Sequence, residues 1–252
     1  RVPLGDLIYL DQERCIQCAR CTRFQEEIVD DPVIGFDERG RALQIVTFSD
    51  PGFGSYFSGN TTDLCPVGAL TTADFRFGAR PWELQNSSSI CPHCSVGCNI
   101  HLNTRRSGKG GDWVVKRVMP RQNEQVNELW ICDKGRFGHH FASSPERITV
   151  PLVRKNNKLV ECTWDETLNL VAQKLKSSNG SVAGLASDRL SNEDLFTFRR
   201  LVEGVGGCVS QWPGHMGGGE LVKQVGIGVG TDLSRVGTGT VILLVACDLE
   251  EE

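Results

Sequence analysis

The sequence predicts a mixed chain, part α/β and part α+β: two small cysteine-organised domains followed by the start of an α/β domain. Three observations predict it. Eight of the eleven cysteines fall into two groups, each with three thiols on one short stretch and a fourth far downstream. Short extended stretches and Gly-rich turns surround those groups as far as about residue 147. From about residue 148, strand patterns alternate with helical ones, the order of a parallel α/β layer.

The domain limits follow composition: 1–86, 87–147 and 148–252. In the first, a helix is expected from about Ala19 to Val29. A hairpin follows in "VIGFDERGRALQIVTF", turning at Glu38-Arg39-Gly40-Arg41. The Gly-rich "DPGFGSYFSGN" then leads as a loop to "DLCPVGAL", and the polar run "QNSSS" at 85–89 reads as a linker. The second domain has extended stretches "NIHLNT" and "WVVKRVM" around the turn "RSGKGGD", and closes on a short helix in "CDKGRFGHHF".

The third domain opens with a hairpin turning at Asn156-Asn157. Next comes a helix with a capping box at Thr163 and Glu166, and with Leu168, Val171, Ala172 and Leu175 on one face. "SVAGLAS" reads as a strand. "SNEDLFTFRRLVEG" reads as a helix capped by Ser191 and stopped at Gly204, and "TVILLVA" as another strand.

Charge and composition exclude several classes. A net charge of −4 argues against a general nucleic-acid or anionic-membrane binder, which needs a basic surface. No run approaches the roughly 18 apolar residues of a membrane span. The odd cysteine count, without an export signal, points away from disulfides and toward metal. The chain lacks an initiator Met and stops within a strand–helix unit, so it is expected to be a piece of a longer protein. "GIGVGT" at 226–231 is not the dinucleotide fingerprint, and no phosphate-binding lysine motif or serine nucleophile elbow occurs.

The cysteine spacing carries the chemistry. Cys15-x2-Cys18-x2-Cys21 puts three thiols on one tight loop, an arrangement that suits the corners of a cubane better than one tetrahedral ion. The candidate for a fourth ligand is Cys65, 43 intervening residues on and followed by proline, as in ferredoxin runs. Arg14, Arg20 and Arg23 favour ionised thiolates there. Cys91-x2-Cys94-x3-Cys98, completed by Cys132 after 33 residues, is a second quartet. Zinc remains an alternative at both, more strongly at the second, where the spacing is less distinctive and His93 and His101 stand near.

Cys162, Cys208 and Cys247 receive no role, as small buried hydrophobes. His93 is expected to point outward, and His139 and His140 to lie on a solvated helix end.

Through "ERCIQCARCTRF", "TTDLCPVGAL", "RFGARPWEL", "SICPHCSVGCNI" and "ICDKGRFG" the chain resembles the family of large iron–sulphur subunits, the G subunits, of bacterial NADH:quinone oxidoreductase, respiratory complex I. The order and spacing of all eight cysteines fit. "SSPERITVPLVRKNNKLVECTWDETLNLVAQKL" resembles the opening of the molybdopterin oxidoreductases.

The resemblance implies two small iron–sulphur cluster domains followed by the start of a molybdopterin-oxidoreductase-like α/β domain. It implies a 4Fe–4S cluster on Cys15, Cys18, Cys21 and Cys65, on the route from flavin toward quinone. A second 4Fe–4S cluster, off that route, falls on Cys91, Cys94, Cys98 and Cys132. The family's N-terminal ferredoxin-like domain and most of its C-terminal domain are expected to be absent from this stretch. No substrate site is expected, because the chain carries electrons within a proton-translocating translocase.

Expected partners are the flavin-bearing NADH-binding subunit and the quinone-proximal subunits, with no nucleic acid. Membrane association is indirect, at the cytoplasmic face of the bacterial inner membrane. Molybdenum enzymes carry a thiol, selenol or serine ligand where this chain has Gly214 and His215, so no molybdopterin is expected. Lys134 matches a lysine that lies between cluster and pterin in those enzymes. The alternative is a molybdenum-dependent, formate-dehydrogenase-like catalytic subunit.

Overall fold

In the computed structural model the described residues are 2–50, 52–108, 111–178, 181–187 and 189–212, and they divide into two compact units, Arg1–Arg147 and Ile148–Glu252.

The first unit begins with a three-stranded antiparallel sheet of β1 (Val2–Pro3), β2 (Ile8–Leu10) and β5 (Leu70–Thr72). Alternation along β2 buries Ile8 and Leu10 on either side of half-buried Tyr9. Against them pack Ile34 and Ile45 of the hairpin formed by β3 (Ile34–Asp37) and β4 (Gln44–Thr47), together with Phe53, Leu70 and Cys21. Each fully buried aliphatic side chain contributes on the order of 2 kcal/mol, so this small core stabilises the first thiol loop by direct contact. The expected helix is present as α1 (Arg20–Arg23), running straight into a wider π-helical turn, Phe24–Ile28.

A second antiparallel sheet joins β6 (Gln85–Ile90), β7 (Asn99–Arg106) and β8 (Trp113–Pro120) as a meander, with a bulge at Asn103/Thr104. Here one expectation is corrected: "QNSSS" is not a linker but most of strand β6, paired residue for residue with β7 from Gln85↔Thr104 to Ile90↔Asn99. Its side chains are almost all exposed, so no apolar alternation marks it, and backbone bonding holds it as an edge strand. The side chain of Asn103 adds a bond to Asn86 at 2.7 Å.

Two short helices then meet across the unit: α2 (Asn60–Leu64), which ends at Cys65, and α3 (Asp133–Phe137), which starts after Cys132. Their contact is polar and buried. The Gly59 amide donates to Asp133 at 2.7 Å, and the Ser58 hydroxyl to its other oxygen. Asn60 donates to the Ile131 carbonyl at 2.8 Å and accepts from the Ile131 amide. Arg136, 3% exposed, donates to Asp63 at 2.6 Å and to Asn60 at 3.1 Å. A Cβ on Gly59 would collide with the Arg136 side chain, so only glycine admits this approach.

In the second unit, β9 (Leu152–Lys155) and β10 (Lys158–Glu161) form the expected hairpin. Asn156 and Asn157 both lie in the left-handed region at φ 51° and 61°, as a type I′ turn demands. In α4 (Trp164–Ser177), Thr163 and Glu166 make the reciprocal capping box. Of its apolar face, Val171 and Leu175 are half-buried while Leu168 and Ala172 are exposed. Strands β11 (Ala183–Ser187) and β12 (Cys208–Trp212) pair in parallel through α5 (Asn192–Gly204), capped by Ser191. The expected strand at 240–246, the glycine-rich 214–220 and 226–231 stretches, and Cys247 lie outside the described residues.

Candidate metal centres

Cys15, Cys18, Cys21 and Cys65 line one cavity, walled by Leu10, Ile45 and Leu70. The three-cysteine loop is wound tightly by two left-handed residues that are not glycine, Gln17 at φ 55° and Ala19 at φ 60°. Each costs on the order of 1 kcal/mol or more and persists only where surrounding bonds impose it. Here the Gln17 side chain donates to the Leu43 carbonyl of the hairpin, and the Thr22 hydroxyl to the Ala19 carbonyl.

From the other side, α2 delivers Cys65. The next turn, with Gly68 at φ 61°, aims the Ala69 amide at the Cys65 sulphur at 3.2 Å. Burial, reinforced by the neighbouring Cys15 and Cys18, pushes the Cys21 thiol up to about 11.

Of the three arginines expected to offset this, two are engaged: Arg23 with Glu27 at 2.9 Å and Arg14 with Asp11 at 3.6 Å. Arg20 lines the cavity and has no ion pair among the described residues.

The second group is built the same way. The Cys91 amide donates to the Cys98 carbonyl at 2.9 Å, closing the loop through Gly97 at φ 63°. Cys132 caps α3, its sulphur accepting from the Gly135 amide at 3.4 Å. A Cβ on Gly135 would stand 3.2 Å from the Cys91 sulphur and 3.7 Å from that of Cys132, so both thiols face this glycine. Burial, then Cys91, Cys94 and Cys132, pushes the Cys98 thiol up to about 11. Burial is also the main cause of the raised Cys91 pKa, with Cys132 and Cys94 adding to it and Lys134 easing it slightly.

Thiols so placed resist ionisation on their own account. A polycationic core would reverse that, turning mutual repulsion into shared attraction, so the donor set fits a metal–sulphur centre.

Among the described residues, the group of three or more histidine, cysteine or carboxylate ligand atoms within 4.8 Å of one another is Asp74, His139 and His140.

The His93 backbone bonds the Cys91 thiol. Its ring lies against Gly138 and meets Phe141 edge-on at 5.8 Å. Cys162 is half-buried and bonds Thr167 at 3.0 Å, but Cys208, which opens β12, is exposed and not the small buried hydrophobe expected. The paired histidines depart from expectation: His140 is exposed, but His139 is buried, stacked on His140 with ring centres 4.3 Å apart. Burial, then His140, lowers the His139 pKa. Both rings turn toward Asp74, which lies 65 residues before His139 and which no local pattern connects to it.

Three family models match successive stretches of the chain. Residues 5–71 match the ferredoxin-like domain of NADH-quinone oxidoreductase subunit 3, and residues 84–140 the NADH-ubiquinone oxidoreductase NDSU1/NuoG-like 4Fe-4S domain. Residues 147–252 match molybdopterin oxidoreductase. Among curated proteins, the G subunit of the NADH-quinone oxidoreductase of Streptomyces coelicolor is 45% identical over 79% of this chain and 23% of its own length. NADH-quinone oxidoreductase subunit 3 of Thermus thermophilus is 46% identical over 73% and 22%. The mitochondrial NADH-ubiquinone oxidoreductase 78 kDa subunit of Candida albicans is 39% identical over 81% and 28%. The chain thus spans about a quarter of the length of these curated relatives.

Proposed function

This chain belongs, over the quarter of their length that it spans, with the G subunits of NADH-quinone oxidoreductases, and we propose that it relays electrons inside such an enzyme on two 4Fe–4S clusters. One cluster is assigned to Cys15, Cys18, Cys21 and Cys65, the other to Cys91, Cys94, Cys98 and Cys132. The observation that carries the reading is the first cavity, where a strained three-thiol loop and a remote fourth thiol converge on one apolar-walled space.

When bound, such clusters supply reversible one-electron storage over potentials of roughly −700 to +450 mV. The chain's own residues do the rest. Thiolates hold the irons, and the Ala69 and Gly135 amides donate to ligand sulphurs, which withdraws electron density and raises the potential. Leu10, Ile45 and Leu70 keep water from the first centre. Arg20 adds positive charge where an electron arrives.

In this reading the neighbours are a flavin-bearing NADH-binding subunit on one side and quinone-proximal subunits on the other. The enzyme sits on the cytoplasmic face of a bacterial inner membrane. No described helix is long and apolar enough to cross a membrane, which accords with attachment through other subunits.

Assembled enzyme frozen after NADH addition should show the EPR signal of the first reduced cluster. A cluster that stays oxidised while quinone is being reduced would defeat the electron-relay reading.

The match of residues 147–252 to molybdopterin oxidoreductase keeps a second reading in view, a formate-dehydrogenase-like catalytic subunit. We assign no pterin to this chain. Stoichiometric molybdenum in the full-length protein would reverse that assignment.

A further inference from the structure

Outside the thiol sites, one side-chain cluster has the composition and spacing of a metal site. His139 and His140 stack in the 3-10 turn Gly138–Ser143 that follows α3, and Asp74 faces both. The Asp74 Oδ2 atom lies 3.0 Å from His140 Nε2 and 3.9 Å from His139 Nε2. Nitrogen and oxygen ligands at about 2.0–2.1 Å from a tetrahedral zinc ion stand roughly 3.3 Å apart, and these separations bracket that value.

A second observation concerns His139 alone. It is 8% exposed, and its Nδ1 pairs with the Arg136 carbonyl at 3.3 Å. A carbonyl only accepts, so Nδ1 carries the proton and Nε2 presents its lone pair. That Nε2 is buried without a hydrogen-bond partner among the described residues, yet it is aimed at a carboxylate. Two electron-rich atoms are thus held face to face across 3.9 Å. Fixing one ring nitrogen on a backbone carbonyl, so that the other is free to ligate, is also how metal-binding histidines are oriented.

We propose that Asp74, His139 and His140 form a site for a divalent cation of zinc type, with His139 Nε2, His140 Nε2 and a carboxylate oxygen of Asp74 as ligands. A fourth, outward position is left for water, because His140 and Asp74 are exposed. No electron moves. On binding, the proton that His140 Nε2 shares with Asp74 shifts to Nδ1 or leaves to solvent, and the cation takes its place. The four arginines that line a cavity with Asp74 are engaged elsewhere: Arg136 with Asp63, Arg117 with Asn103, Arg14 with Asp11, and Arg76 over the Tyr9 ring. The site is independent of the clusters and draws on none of their thiols.

The test uses the full-length protein with its clusters assembled, equilibrated with zinc chloride and desalted. Expected is one retained zinc per chain, with X-ray absorption at the zinc edge showing nitrogen and oxygen ligands only. Removing even an outer-shell partner of a metal site costs about 10–100-fold in affinity. His140→Ala and Asp74→Asn, both at exposed positions, should therefore weaken zinc binding at least about tenfold, with iron content unchanged. Protein that retains no zinc, zinc carrying sulphur ligands, or variants that bind like the parent would each overturn the proposal.

Discussion

The amide of Gly59 donates to the carboxylate of Asp133 at 2.7 Å, joining the turn that leads to Cys65 with the residue that follows Cys132. The fourth cysteine of each proposed cluster thus hangs from one buried seam, so the two sites share a mechanical foundation within the first unit. Charged and amide side chains fill it rather than aliphatic ones. Such a seam tolerates little change, since a buried group that loses its partner costs about 1–3 kcal/mol.

Asp133→Ala should accordingly destabilise the first unit by on the order of 3 kcal/mol, because it strands the Ser58 hydroxyl and the Gly59 amide together. Denaturant unfolding of cluster-loaded protein measures it. Asp133→Asn keeps one acceptor oxygen and should lose less. Equal losses in the two variants would contradict the hydrogen-bond account.

Gly135→Ala separates helix propensity from thiol crowding. In an ordinary helix this change is stabilising by about 0.5–1 kcal/mol. Here the added methyl would lie 3.2 Å from the Cys91 sulphur. The expected outcome is reduced iron and sulphide at the second site, with the first site's EPR signal intact. Full occupancy of both would show that Gly135 does not border the second centre.

Arg20 and Arg23 should differ in their effect on the first centre's potential. Arg23 is already compensated by Glu27, whereas Arg20 lines the cavity without an ion pair among the described residues. Redox-monitored EPR should show a lower midpoint for Arg20→Glu and little change for Arg23→Gln. An unchanged or higher midpoint in Arg20→Glu would remove the charge argument.

What the sequence makes legible is what short spacing and local propensity encode. The three-cysteine loops, the turn at Asn156-Asn157 and the capping box at Thr163 and Glu166 all depend on neighbours a few residues apart. The elements that escape it depend on distant partners. Strand β6 carries no apolar alternation because its side chains are almost all exposed, and only pairing with β7 makes it a strand. Ser58 and Asn60 read as polar loop residues, yet neither has any exposed surface, since their partners Asp133 and Ile131 lie more than 70 residues away. The turn of His139 toward Asp74 is hidden for the same reason. Gln17 and Ala19, both left-handed, show a further limit: nothing in their chemistry favours that conformation, and the surrounding bonds impose it.

The proposed ligand sets are tested most directly by EPR with iron and sulphide counts on anaerobically prepared full-length protein, comparing Cys65→Ser with Cys132→Ser. The account predicts that each variant loses one cubane signal, a different one in each, and keeps the other. Loss of both signals in either variant, or of neither, would contradict two separate clusters held by these quartets.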